Sequence, residues 1–465
     1  MKGNTLKRSS KPSAKSDTWR ARDRKVLWHP FTQQKAWMDE DFPVIVSGKG
    51  AVLTDADGRD YLDGVSSLWC NIHGHARREI NAAMKQQLDQ VAHATFLGLT
   101  NPPAIELGER LVEIAPKGLT RVFYSDNGST AMEVALKMAF QYWQQNGRPD
   151  RTKFVTLDSG YHGDTMGAVS LGGIDLFNGV FKPLLFRTIR GPATYAYRCD
   201  RAKTLEECGK HCLEDIEAIL KTHSREIAGL VIEPLIQGAG GMITQPPGFV
   251  KALRALCDKY DVFMIADEVM TGFGRTGRMF ACELEGVTPD FMAVSKGLTG
   301  GYLPLAATLT TEKVYEGFLG EVRDRRVFYH GHTYTGNPLA CAGALAALKL
   351  FKKDRLIEKT RKKIHLMGNL LQEFYALDQV GDIRTCGLIA GIELVKNPET
   401  KEPFPFDLRL GHRVTLEARK RGAIVRPLGD VLVLMPPLAI TEKELETLVA
   451  AMLEATKAAL ASVTS

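Results

Sequence analysis

The sequence predicts an α/β protein with a mainly parallel sheet in a large domain, joined to a smaller α+β domain. Three observations predict it. Short apolar runs recur between about residues 100 and 310, reading TRVFYSD, KFVTLDS, IAGLVIEP, VFMIADE and DFMAVSKG. Amphipathic stretches separate them, and strands alternating with such helices imply βαβ units and a parallel sheet. The runs end in polar or glycine residues, at the sheet edge where ligands of such folds gather.

The elements follow in chain order. The first 25 residues carry nine Lys or Arg against Asp17 and Asp23. With no apolar core they are not a secretory signal, and they read as a solvated, disordered basic arm, residues 1–25. An organellar transit peptide is the alternative, against which the two acids weigh. GAVLTDADGRDYLD reads as a hairpin turning at Asp57-Gly58. It lies in a segment, 26–75, assigned to the smaller domain. The large domain is placed at 76–345. There TAMEVALKMAFQYW sets Met132, Ala135, Met138, Ala139 and Tyr142 on one helical face, and GFVKALRALCDKYD repeats the pattern. After the helix of GNPLACAGALAALKLFKK, residues 346–465 form the remainder of the smaller domain. Its strands are GLIAGIELV and GDVLVLMPPLAIT, and EKELETLVAAMLEATKAALA is its closing helix.

Composition excludes several classes. No apolar run approaches the roughly 20 residues a membrane helix needs. The net charge of +6 is modest for 465 residues and shows no aromatic-interleaved basic stripe, so nucleic acid is not an expected partner. The eight cysteines contain no C-x-x-C, and Cys208 and Cys212 lack a second pair, so no metal is expected. Dispersed thiols fit a reducing compartment, the cytoplasm.

VFMIADEVMTGFGRTGRMF places Gly272, Gly274 and Gly277 in a G-x-G-x-x-G spelling after an apolar run. A dinucleotide turn needs its glycines tight on the strand end and a helix after them. Here Val269, Met270 and Thr271 intervene, RTGRMFACE starts a helix poorly, and Asp290 begins the next run instead of ending it. The dinucleotide reading is set aside. Asp267 carries more information, because a carboxylate at a strand end is costly to bury unpaired. A second run ends in Ser295-Lys296-Gly297. Separately they are an ion pair and a surface charge. Together they suit pyridoxal 5′-phosphate, which needs an amine for its Schiff base and a carboxylate against its pyridinium nitrogen. Gly128 and Ser129 open a helix whose first turn reads as a Thr130–Glu133 capping box, a start that would hold phosphate or simply cap a helix. Tyr161, beyond another strand, would cover a ring or pack its loop.

SDNGSTAMEVALKMA, YHGDTMGAVSLGG, IEPLIQGAGGM, ADEVMTGFGRTG, SKGLTGGYLPLAA and GHTYTGNPLACA together resemble the class III pyridoxal-phosphate aminotransferases. The resemblance implies the fold type I architecture of pyridoxal-phosphate transferases. It implies Lys296 as Schiff-base lysine and proton carrier, Asp267 on the pyridinium, and Gly128 and Ser129 on the phosphate. Thr333 would join the phosphate from a partner subunit, and Tyr161 would stack on the ring. It implies a substrate pocket of Phe31, Trp69, Tyr161 and Gly331, with Asp164 and Arg275 close by, Arg426 clamping a carboxylate and Glu233 supporting the cofactor. It also implies a homodimer with shared sites. LWHPFTQQKAW, SLWCNIHGHARREI and RPLGDVLVLMPP resemble the branch that aminates 8-amino-7-oxononanoate in biotin synthesis. Phe31 and Leu68-Trp69 replace the Tyr and Trp-Trp of the form using S-adenosylmethionine, and resemble a form using lysine, which leaves the donor open. Another class III ω-amino-acid aminotransferase, working with pyruvate or 2-oxoglutarate, is the alternative. A nicotinamide-dependent or non-catalytic binding protein is the third reading.

Overall fold

The computed structural model describes residues 14–464. Its centre is a seven-stranded sheet in the order Leu119–Ser125, Ala306–Thr311, Phe291–Val294, Phe263–Asp267, Ile227–Ile232, Lys153–Leu157 and Ile189–Gly191. Neighbours from Phe291–Val294 to Ile189–Gly191 pair parallel, and Ala306–Thr311 is antiparallel to both of its neighbours. The expected mainly parallel sheet is therefore present. Four of the five apolar runs contain one of its strands, and TRVFYSD covers all of Leu119–Ser125 but its first residue.

Helices cover both faces, which explains why the central strands are apolar on both sides. The Gly128–Gln145 helix buries Ala131, Met132, Ala135 and Trp143 against Phe263, Ile265 and Phe291. On the opposite face Leu205–His223 and Phe249–Lys259 bury Ile216, Leu220 and Leu253 against Leu230, Ile232 and Met264. Each buried Met, Leu, Ile or Phe side chain among them contributes about 1.5–3 kcal/mol, and each alanine less. The two strands that matter most are adjacent and parallel, with Asp267 in register with Ala293. The chain leaves the second strand directly into the Lys296–Thr299 turn, so Asp267 and Lys296 emerge at one sheet edge.

The hairpin Val52–Asp55/Asp60–Asp63 forms around Gly58, whose φ of 75° suits a residue without Cβ. Its second strand pairs with Ala423–Ile424 near the other end of the chain. A three-stranded sheet of Val380–Thr385, Ala390–Leu394 and Val431–Leu434 lies beside the Leu410–Lys420 and Glu442–Thr464 helices.

Two expectations need correction. The basic arm is not disordered as far as residue 25: Ala14–Val26 is a helix, and the preceding residues lie outside the described ones. A charged anchor docks it. Arg20, 3% exposed, donates to Phe42 O and pairs with Asp57 and Asp41. Pattern reading misses such a helix, because its buried contact is ionic and not an apolar stripe. The boundary at 345/346 falls within the unbroken Pro338–Lys353 helix, which starts on Asn337, whose side chain accepts from Ala340 N, with proline in its first turn.

Candidate active site

A cavity of about 540 Å³ opens at the carboxyl ends of the strands. Asp267, 5% exposed, forms part of its wall. One of its oxygens accepts from Val269 N at 3.1 Å, and the other lies 2.7 Å from His162 Nδ1. Lys296 lines the same cavity with Nζ 4.9 Å from the centre of the Trp69 ring. Burial holds its amine below the ordinary lysine range, and Asp267 and Glu233 partly restore it. Among the described residues no carboxylate comes within ion-pair distance of Lys296 Nζ, so this amine is not consumed by the fold.

The Gly128–Gln145 helix starts at the cavity wall. Its capping box is not the expected Thr130–Glu133. Asn127 accepts from Thr130 N, and Thr130 Oγ1 accepts from Asn127 N. Glu133 instead accepts from Thr165 Oγ1 and Gly167 N, tying the helix to the loop after Tyr161. The N–H groups of Gly128 and Ser129 have no intrahelical acceptor, as at any helix start, and attract an anion. Gly128 is held close to the neighbouring strand end: a Cβ there would stand 2.6 Å from Val269 Cγ1.

Tyr161 also lines the cavity. Its hydroxyl donates to Asp164 at 2.7 Å, and burial followed by Asp164 pushes its pKa up. Its backbone N donates to Glu233 Oε1 at 3.0 Å, while Gly238 N donates to Oε2 at 2.8 Å. Glu233 is buried at its strand end and raised to about 7, first by burial and then by Asp267.

Trp69 reaches the cavity through an unusual backbone. Ser66, Ser67, Leu68 and Trp69 have φ of 43°, 43°, 63° and 72°, one turn of left-handed helix made without glycine. Such a conformation costs roughly 1–2 kcal/mol per residue. Arg275 is part of what holds it. The guanidinium is fully buried and donates to Pro436 O at 2.6 Å, Ser66 Oγ at 2.8 Å, Asn71 O at 3.1 Å and Trp69 O at 3.4 Å. Burial lowers it to about 10, so it stays charged at neutral pH. Arg275 lies close by the pocket, as expected, but behind its wall: it donates to the backbone of Trp69, which lines the cavity, and its charge reaches Lys296. The glycine-rich loop has its own clamp. Glu268, fully buried, accepts from Ala281 N, Cys282 N and Thr271 Oγ1. No dinucleotide-binding helix start follows the glycines.

A model of the class-III aminotransferases matches residues 34–456. The chain belongs to the class III aminotransferase family. A Geobacter sulfurreducens protein named adenosylmethionine-8-amino-7-oxononanoate aminotransferase is 57% identical over 94% of this chain and 97% of its own length. The Aquifex aeolicus protein of that name is 52% identical over 91% and 93%. The crystal structure of the Methanocaldococcus jannaschii protein of that name superposes with a TM-score of 0.90 at 45% identity, covering 95% of this chain and 99% of that one. An (S)-enantioselective ω-transaminase from Thermomicrobium roseum gives 0.91 at 35% identity, over 97% and 99%.

Within this aminotransferase the structure gathers Gly128, Ser129, Tyr161, Asp164, Glu233, Asp267, Lys296 and Trp69 around one cavity. Phe31, Gly331, Thr333 and Arg426 are not on its wall. Phe31 is exposed and reaches Tyr161 only through Phe177, with ring centres 5.3 Å and 6.1 Å apart. Gly331, Thr333 and Arg426 are exposed on the single chain. Sequence reasoning missed His162, Asn127 and the function of Glu133. His162 stands next to Tyr161 in YHGD, and a histidine there, with a buried acid to satisfy, was the available signal. Among the described residues no cluster of metal-ligating groups and no helix long and apolar enough to cross a membrane is found.

Proposed function

We propose that this aminotransferase converts 8-amino-7-oxononanoate into 7,8-diaminononanoate in biotin synthesis, with pyridoxal 5′-phosphate as cofactor and S-adenosylmethionine or lysine as amino donor. The observation that carries the acceptor is the 57% identity, along almost the whole chain, with the protein of that name from Geobacter sulfurreducens. The cofactor is supported by the cavity: an uncommitted amine, a buried carboxylate and a glycine-tight helix start share one wall. When bound, pyridoxal phosphate supplies an aldehyde that condenses with amines and a ring that accepts the electrons of a carbanion.

The residues divide the work. Gly128 and Ser129 offer N–H groups to the phosphate, and Thr333 of a second subunit completes that site in a homodimer. Asp267 holds positive charge on the ring nitrogen, and His162 keeps Asp267 oriented. Tyr161 covers the ring. Lys296 holds the cofactor, yields to the donor amine, then moves the proton from the substrate α-carbon, and the low-lying pKa of its buried amine favours the neutral form this requires. Phe31, Trp69, Tyr161 and Gly331 bound the substrate, and Arg426 pairs with its carboxylate, a task suited to a planar fork. The relatives' names point to adenosylmethionine as donor; Leu68 lines the cavity where the S-adenosylmethionine pattern has a second indole, which keeps lysine as the alternative. We place the enzyme in the cytoplasm.

The test is spectroscopic. Purified holoenzyme shows a visible band of lysine-bound cofactor that a donor bleaches and 8-amino-7-oxononanoate restores, with S-adenosylmethionine and lysine as separate arms. Lys296→Ala carries no covalent cofactor. A band that no donor moves, or full activity in Lys296→Ala, overturns the reading. The likeness to the Thermomicrobium roseum ω-transaminase supports a second reading, an ω-amino-acid aminotransferase. Turnover of β-alanine or 4-aminobutyrate with pyruvate, and none with the oxononanoate, would favour it.

A further inference from the structure

The left-handed turn at Ser66–Trp69 is held on two sides. On one side Arg275 donates to Ser66 Oγ and Trp69 O. On the other side is Asp63, fully buried, the last residue of its strand. Its Oδ1 accepts from Ser67 N at 2.8 Å, and its Oδ2 accepts from Ser67 Oγ at 2.8 Å. His75 Nε2 lies 2.9 Å from the same Oδ2, and Asn71 Nδ2 holds His75 Nδ1 at 2.9 Å. Ser66 Oγ donates to Met435 O at 2.7 Å. Inside the turn Trp69 N donates to Val65 O at 2.6 Å and Cys70 N to Ser66 O at 3.2 Å. L-residues enter this region singly and not as helices, so four in succession persist only when their surroundings over-determine them. Strain of this kind collects where a side chain has to be aimed. Here the end of the turn is the residue whose ring faces Lys296 Nζ at 4.9 Å.

We propose that Asp63 is a positioning residue for Lys296, acting through Ser67 and the left-handed turn to hold the Trp69 indole against the lysine amine. Asp63 touches neither the cavity nor the amine. It fixes the backbone N–H and the hydroxyl of the one residue at the centre of the turn. Relaxation of Ser67 to an ordinary negative φ would swing Leu68 and Trp69, both on the cavity wall, away from their places. The inference rests on the reading of Lys296 as the cofactor-binding lysine.

Two rates test it in the full-length protein: capture of pyridoxal phosphate by enzyme stripped of cofactor, and the donor half-reaction of the holoenzyme. Asp63→Asn leaves one acceptor oxygen and one NH2, so it cannot accept from Ser67 N at one atom and from Ser67 Oγ and His75 at the other. Each rate is expected to fall about a hundredfold, the loss that an ångström of misplacement produces. The double variant Asp63→Asn/Ser67→Gly is expected to recover most of both, because glycine takes positive φ without an anchor. Asp63→Asn/Ser67→Ala is expected to recover neither. Wild-type rates in Asp63→Asn, or equal rescue by alanine and glycine, would overturn the proposal. Ser67→Val and Ser67→Gly repeat the comparison with Asp63 intact, in case Asp63→Asn does not fold; equal rates in those two would overturn it as well. Wild-type protein that captures no pyridoxal phosphate at Lys296 would overturn both this inference and the reading beneath it.

Discussion

His162 Nδ1 lies 2.7 Å from Asp267 Oδ2, and both side chains are buried beneath the cavity. The second oxygen of Asp267 takes a backbone N–H, so the carboxylate has a fixed plane before any ligand arrives. Replacing His162 by Phe removes the partner and keeps the bulk. Expected is a loss of roughly ten- to hundredfold in cofactor affinity or turnover, the usual cost of a lost orienting partner. Equilibrium dialysis of pyridoxal phosphate and steady-state kinetics measure it. Unchanged values would remove His162 from the site.

Glu233 makes stability depend on pH. Its folded pKa of about 7 lies above the 4.5 of an ordinary glutamate, so the folded protein binds the extra proton between those values. The resulting stabilisation is complete below about 4.5 and is lost as pH rises through about 7. Expected is a fall of roughly 3 kcal/mol in unfolding free energy of cofactor-free protein across that window. Glu233→Gln should flatten this component. Urea unfolding at a series of pH values reads it directly.

Arg275→Lys keeps the charge and loses the fork. One ammonium cannot reach Pro436 O, Ser66 Oγ, Asn71 O and Trp69 O together, and some buried acceptors stay unpaired. Each unpaired group costs about 1–3 kcal/mol. Thermal denaturation should show a clear drop in Tm, with raised susceptibility to proteolysis near residues 66–71. An arginine that served only to bind substrate would raise KM and leave Tm in place.

Arg20→Ala should release the Ala14–Val26 helix. It leaves Asp57, itself buried, without this guanidinium, and breaking a buried pair costs about 3–5 kcal/mol. Limited trypsin digestion is expected to cut within residues 14–26 in the variant and spare them in the wild type. Equal protection in both would mean that other contacts dock the helix.

Much of the fold was legible because its signals are local. The apolar run that ends at Asp267 and the one that ends before Lys296 mark strand ends wherever the strands sit, and parallel pairing then brings both residues to one edge. The Asn127–Thr130 start was half legible. The capping pattern was visible, but Asn127 and not Thr130 is the cap, and Glu133 is drawn off by Thr165 and Gly167, which the sequence alone does not bring near. The arm was misread because Arg20 is buried by ion pairs, a contact without periodicity.

By itself the sequence determined the α/β class, the strand ends that carry Asp267, Glu233 and Lys296, and the glycine-opened helix at residue 128. These follow from hydrophobic period, chain direction and the unpaired N–H groups of any helix start, all set within a few residues. Only the tertiary structure decided which way Arg275 points, what His162 holds, why Glu233 is raised, and that Ser66–Trp69 runs left-handed. Each of those rests on contacts between segments far apart in the chain. Arg275 meets Ser66, and Asp267 meets His162, only after the sheet and the hairpin have closed around them. Burial then sets the price of every unpaired group, a quantity that no local spelling contains.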